Sequence, residues 1–199
     1  MSPARSYLTR FLHLSVLVVV IHQLLTSTVM ERPTPGDDPE LPYSLHTWIG
    51  AAALFVLMLF WIWTLLRDRR ETRLSQLVPW FSPSRLRAIG EEAFGVARDI
   101  VQWRAPSLDL SAISSAVHGL GLLLATFLAA SGAAWFFVLT GTPYGRAILR
   151  LHELAGNFMW AYLVGHATMA LLHQALGEKV ISRMFGFGAP THGSAAPAE

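Results

Sequence analysis

Four apolar stretches, each about 20 residues or longer, leave this chain few ways to fold, because about 20 residues of helix is what crosses a bilayer. They run from about Phe11 to Met30, Tyr43 to Leu66, Leu110 to Thr140 and Leu151 to Leu176. The third and fourth exceed the hydrocarbon thickness, so they tilt or project into water. The first does not read as a signal peptide: it is longer than a signal core, contains His22 and Gln23, and no small-x-small cleavage site follows. Of 199 residues, 53% are hydrophobic and only 14% charged, against about 25% charged in a soluble domain. The expected fold is an all-α integral membrane four-helix bundle over residues 1–186, with a disordered Gly/Ala/Pro/Ser tail at 187–199. A secreted, disordered or nucleic-acid-binding protein is excluded on the same grounds, since the net charge is only +2.

The arginines orient the bundle. Arg5 and Arg10 precede the first stretch; Arg67, Arg69, Arg70, Arg73, Arg85, Arg87, Arg98 and Arg104 fill the second loop; Lys179 and Arg183 follow the last stretch. With both termini and the second loop cytoplasmic, that side holds 12 of the 15 basic residues, leaving Arg32, Arg146 and Arg150 outside. The first loop, Glu31 to Pro42, is acidic and proline-rich, and reads as a solvated turn, an external cap or a docking surface for a cationic partner. The second loop, 67–109, is too long for a plain connection. Within it Leu86, Ile89, Ala93, Val96 and Ile100 step by three and four. This predicts an amphipathic helix, capped by Ser84, lying on the inner membrane surface or docking a partner. The adjacent pairs Asp37–Asp38 and Glu91–Glu92 read as solvated loop charge.

There is no cysteine. Disulfides, iron–sulfur clusters, thiolate zinc sites and covalent haem attachment are therefore excluded. No phosphate loop, nucleotide fingerprint, catalytic triad or zinc motif appears. The informative residues are the eight histidines. An intramembrane histidine is costly and marks a functional candidate, although a lone one is often only an interhelical hydrogen-bonding residue. His152 and His166 are 14 residues apart, which is about 21 Å along a helix and only about 40° around it. Depth then pairs His46 with His152 on the outer side, and His13 with His166 on the inner side. Two bis-imidazole sites stacked across a bilayer suit two b-type haems.

Small residues near these histidines leave room for a flat macrocycle: Gly50 four after His46, Gly156 four after His152, and Gly165 beside His166. The same glycines would also serve close helix packing. Arg10 and Arg150 are placed to neutralise haem propionates, or are simple flanking charge. His22 points about 180° away from His13 and remains an alternative partner for His166. His173 and His118, on the inner side, are candidates for a quinone site or for structural roles. Glu153 joins them as a protonatable group, or caps its helix. His192 lies in the tail and receives no role.

The segments Arg10–Leu14 (RFLHL), His46–Gly50 (HTWIG) and Leu151–Gln174 (LHELAGNFMWAYLVGHATMALLHQ) resemble the prokaryotic cytochrome b561 family, which is related to the b-type cytochrome subunits of nickel–iron hydrogenases. Leu14 and Leu151 stand where members often have tryptophan. The resemblance implies four helices, iron ligands at His13, His46, His152 and His166, two haem b groups and electron exchange with quinone in a bacterial inner membrane. It also allows an oxidoreductase in which superoxide or another small donor meets the outer haem. Two other readings stand beside it. One is a haem-bearing anchor subunit for a soluble dehydrogenase, hydrogenase or reductase. The other is a His-lined metal or ion transporter.

Overall fold

The computed structural model describes residues 6–34, 36–66, 74–102, 111–177 and 180–185. Every regular element among them is helical: α1 (Tyr7–Val29), α2 (Leu41–Leu66), α3 (Leu74–Leu77), a 3-10 turn (Pro79–Phe81), α4 (Pro83–Val101), α5 (Ser111–Ala134) continuing into a π turn (Trp135–Leu139), α6 (Gly145–Ala175) and α7 (Val180–Phe185). Arg5, Arg67, Arg69, Arg70, Arg73, Arg104, Lys179 and the tail with His192 lie outside the described residues, as does the Arg183 side chain.

Two helices start earlier than the apolar pattern does. α1 begins at Tyr7 because the Ser6 hydroxyl accepts from the Thr9 N–H at 3.3 Å, a local N-cap. α6 begins at Gly145, following a tight turn in which Gly141 takes φ +80° and Thr142 Oγ1 accepts from the Gly145 N–H at 3.2 Å. Arg146 and Arg150 are good helix formers and extend α6 through a polar first turn.

α1, α2, and α5 with its π turn are long and apolar enough to cross a membrane. α6 has the length, 31 residues. Its apolar character is diluted by polar residues, among them His152, Glu153, Asn157 and His166. The helices pack in chain order, α1 on α2, α2 on α5, α5 on α6. Leu24, Leu57, Leu122 with Ala125, and Met159, drawn from all four, form the buried cluster. Two indoles lock the order: Trp63 Nε1 donates to Thr9 Oγ1 (2.8 Å) and Trp61 Nε1 to Thr126 Oγ1 (2.9 Å). Between membrane helices such bonds are worth about 0.6–1.7 kcal/mol each. Large apolar side chains such as Phe11, Phe55, Leu65 and Phe158 face outward. In water such a belt would drive association; against lipid tails it costs nothing.

The second loop returns to the bundle. A Cβ on Gly119 would lie 1.7 Å from the Leu77 carbonyl oxygen, so only glycine lets α3 rest on α5. α4 begins at Pro83, a residue suited to the first helical turn. The Ser82 carbonyl accepts from the N–H groups of Arg85 and Leu86, so Ser82, not the expected Ser84, stands ahead of the helix. The reading of Glu92 as solvated charge is also corrected. Its carboxylate accepts from the backbone N–H groups of Ala112 (3.0 Å) and Ile113 (2.9 Å). It caps the positive end of α5 from another helix and ties α4 to the bundle. α6 packs on α5 but approaches α1 and α2 only at scattered points. The space left on that side holds the site.

Candidate functional site

Two imidazole pairs bridge that space. The ring centroids of His46 on α2 and His152 on α6 are 6.2 Å apart. Those of His13 on α1 and His166 on α6 are 6.5 Å apart. Both pairs are the ones expected from depth. With metal–imidazole bonds of about 2.0 Å, and ring centres about 1.1 Å behind their nitrogens, two imidazoles in line on one metal ion have centroids about 6.2 Å apart. Both spacings match that separation.

The outer pair is also fixed in protonation pattern. Thr26 Oγ1 donates to the carbonyls of His22 (2.8 Å) and Gln23 (3.1 Å). Its proton is thus committed, so at 3.1 Å from His46 Nδ1 the same oxygen accepts. Ser131 repeats the device: its hydroxyl donates to the Leu128 carbonyl (3.1 Å) and accepts from His152 Nδ1 at 3.0 Å. In each ring the proton then sits on Nδ1, which leaves the Nε2 lone pair able to bind a metal. Such outer-shell hydrogen bonds orient a ligand ring and raise its basicity. Gly132 makes room for one ring, since a Cβ there would lie 3.0 Å from His152 Cε1. Thr26, Ser131 and Gly132 escaped the reading of the sequence. Their only signal is polar or minimal residues inside apolar spans.

The outer pair opens into a cavity of about 510 Å³, within the usual range for cofactor pockets. Gly50 and Gly156 line it. Nothing lies within 4 Å of where a Gly156 Cβ would be, while at Gly50 the Gln23 side chain comes to 3.3 Å. Gln23 faces the same cavity, and its Nε2 is buried without a hydrogen-bond partner. Arg32 and Glu153 pair with each other across the cavity mouth. Arg150, expected beside the outer site, is exposed and does not line the cavity; Arg32 from the first loop stands there instead. Gly165 is likewise exposed and lines neither cavity.

The inner pair is arranged differently. Tyr162 stacks on His166, centroids 5.4 Å apart and planes 10° from parallel. His118 meets the same ring edge-on at 5.0 Å, with its Nδ1 donating to the Ser114 carbonyl. Gly121 permits the stack, since a Cβ there would lie 2.1 Å from the Tyr162 ring. The cavity here is about 120 Å³, with Leu77 of α3 and Met184 of α7 among its walls. Arg10 lies one turn from His13; its guanidinium sits 4.5 Å over the Tyr7 ring and its Nε is buried without a partner. Of the two quinone candidates, His118 lines the inner cavity and His173 does not. His22 lines neither cavity, so the pairing partner across from His166 is His13.

The chain matches a known protein family. The family described as prokaryotic cytochrome b561 covers residues 4–187. The chain belongs to the prokaryotic cytochrome b561 family. Comparison with curated proteins and with solved structures gave no match. Membership makes this a membrane-embedded cytochrome of haem-mediated electron transfer, with b-type haem as its group. The outer site of this cytochrome fits haem in ligand spacing, ligand nitrogen, volume and an unpartnered buried N–H at the wall. The inner site fits in ligand spacing and carries a similar unpartnered N–H nearby, on Arg10. Among the described residues no group of three or more His, Asp or Glu side chains is placed to hold a bare metal ion.

Proposed function

We propose that this cytochrome b561 holds two b-type haems, an outer one between His46 and His152 and an inner one between His13 and His166, and moves electrons across a bacterial inner membrane to or from quinone. The observation that carries this reading is the pair of imidazole spacings, 6.2 and 6.5 Å, at two levels of one helix about 21 Å apart. The reading includes α6 as a fourth span and places both termini in the cytoplasm, as the arginine distribution supports.

Bound haem supplies one-electron redox chemistry at a potential the protein sets. The chain's own residues do the rest. Thr26 and Ser131 hold the outer imidazoles with Nε2 toward the centre of the gap. Met159, 2% exposed and lining both cavities, walls one from the other and excludes water between them. Arg10 supplies positive charge near the inner site, and at the outer mouth Arg32 is paired with Glu153. On the inner side the Leu77 and Met184 side chains give way to admit a macrocycle, while Tyr162 stays stacked on His166. His118, beside His166, is placed to exchange a proton with a quinone bound at that edge.

The test uses purified protein in sealed vesicles with ferricyanide trapped inside and impermeant dithionite outside. Wild-type protein reduces the trapped oxidant, and His152→Ala and His166→Ala each abolish this. Transfer that persists in either variant refutes the two-haem path.

A further inference from the structure

Helix α4 has three sectors where an ordinary surface helix has two. At 100° per residue, Leu86, Ala93, Phe94, Ala97 and Val101 fall within an arc of about 100°. All five are exposed, Phe94 to 71% and Val101 to 78%, and the arc holds no charge. Beside it lie Arg87, Glu91 and Arg98, also exposed. The remaining sector, with Ile89, Glu92 and Val96, is half-buried against the bundle. The stripe expected from sequence is thus divided: Ile89 and Val96 turn to the protein, Leu86 and Ala93 turn away from it. The Ile100 side chain lies outside the described ones.

The height of α4 follows from its clamp. This height rests on the two-level haem reading above. Histidine levels about 21 Å apart, centred in about 30 Å of hydrocarbon, leave about 4.5 Å beyond each level. His118 marks the inner level on α5, through its 5.0 Å contact with His166. Three residues earlier, at Ser115, α5 leaves the hydrocarbon. Ala112, which Glu92 grips at 3.0 Å, lies about 4.5 Å further on, inside a headgroup layer about 5–7 Å thick. At that depth a helix has protein on one side, acyl chains on a second and phosphates on a third. Those are the three sectors observed. Trp80 and Phe81, exposed just ahead of the helix, suit the same layer.

We infer that α4 is an interfacial helix that binds the inner leaflet, its uncharged arc among acyl chains and Arg87 and Arg98 on the phosphates of anionic lipid. Charge complementarity and continuity with the lipid-facing belt select lipid over a protein partner. The chain lacks cysteine, so Phe94→Cys and Arg87→Cys each accept one nitroxide label. The full protein, with haem counted on the same samples, is placed in phosphatidylcholine vesicles with and without phosphatidylglycerol. The expected result is that the label at 94 is relaxed by oxygen and shielded from a water-soluble nickel chelate, and that the label at 87 shows the reverse. Chelate access at 94 in protein with its haem content intact overturns the inference without touching the electron-transfer reading, and points to a missing protein partner. In a separate arm, Arg87→Gln with Arg98→Gln lowers the preference for phosphatidylglycerol by about fivefold per arginine. An unchanged preference overturns the assignment of these arginines to phosphate.

Discussion

The outer and inner halves of this bundle present the same imidazole pair in two physical settings. Outside, His46 and His152 are held through Nδ1 by hydroxyls whose own protons are tied to helix carbonyls, and a cavity of about 510 Å³ lies open beside them. Inside, His166 is flanked by the rings of Tyr162 and His118, and about 120 Å³ remains. The outer half is a preformed socket in which helix geometry fixes both the rings and the space. The inner half is closed by side chains from two segments outside the long helices, Leu77 and Met184. Near-equal imidazole spacing with unequal volume teaches that spacing is set by the packed helices. Volume at the inner side is set by what folds over the helix ends.

The strongest challenge to that comparison is to delete one ligand at a time. His152→Ala is expected to lower haem from two per chain to one, and His166→Ala to do the same at the other level. A pyridine haemochrome assay reads the count. Loss of both haems from the outer deletion alone would mean that the levels fold as one unit. Next come the hydroxyls. Thr26→Val and Ser131→Ala should each weaken outer haem retention about 10–100-fold, with the inner haem unaffected, as followed by transfer to an apo-globin acceptor. Equal losses at both levels would erase the distinction.

A smaller effect separates the inner half. Tyr162→Leu removes the ring on His166 and should shift only the inner low-spin signal in electron paramagnetic resonance, while Tyr162→Phe preserves it. Gly121→Val, which displaces Tyr162, should match the leucine variant. The smallest effect belongs to the outer mouth. Arg32 and Glu153 are both about half exposed, so Arg32→Gln should lower thermal stability by about 1 kcal/mol or less, and less still at high salt. A larger loss in a melting experiment would show that the first loop closes the socket more firmly than a surface ion pair can.

How much of this was legible beforehand depends on the periodicity each residue obeys. The imidazole pairs were readable because two constants, helix rise and helix angle, convert a 14-residue spacing into depth and face. The interiors of the long helices were readable for the same reason. The polar ends were not. Arg146 and Arg150 hid the first turns of α6, because an apolar pattern stops where charge begins while a helix need not. Thr26 and Ser131 were missed because a hydroxyl in an apolar span has the same composition whether it bonds its own helix or a neighbour's ligand. Here each does both. Arg150 is expected at the outer site from its closeness in sequence to His152, whereas the first loop folds across the mouth and delivers Arg32. Glu92 was read as loop charge because nothing local shows that its target is the start of a helix 20 residues on. Gly165 was credited with making room because it adjoins a ligand, yet adjacent helix positions differ by about 100° and face apart.

The central claim is that four histidines form two iron sites in one chain. Its most direct measurement is the reduced-minus-oxidised visible spectrum of the purified protein with a haemochrome count per chain. The account predicts two b-type haems, both low-spin with two imidazole ligands. One haem, or none after expression with ample haem, would contradict it.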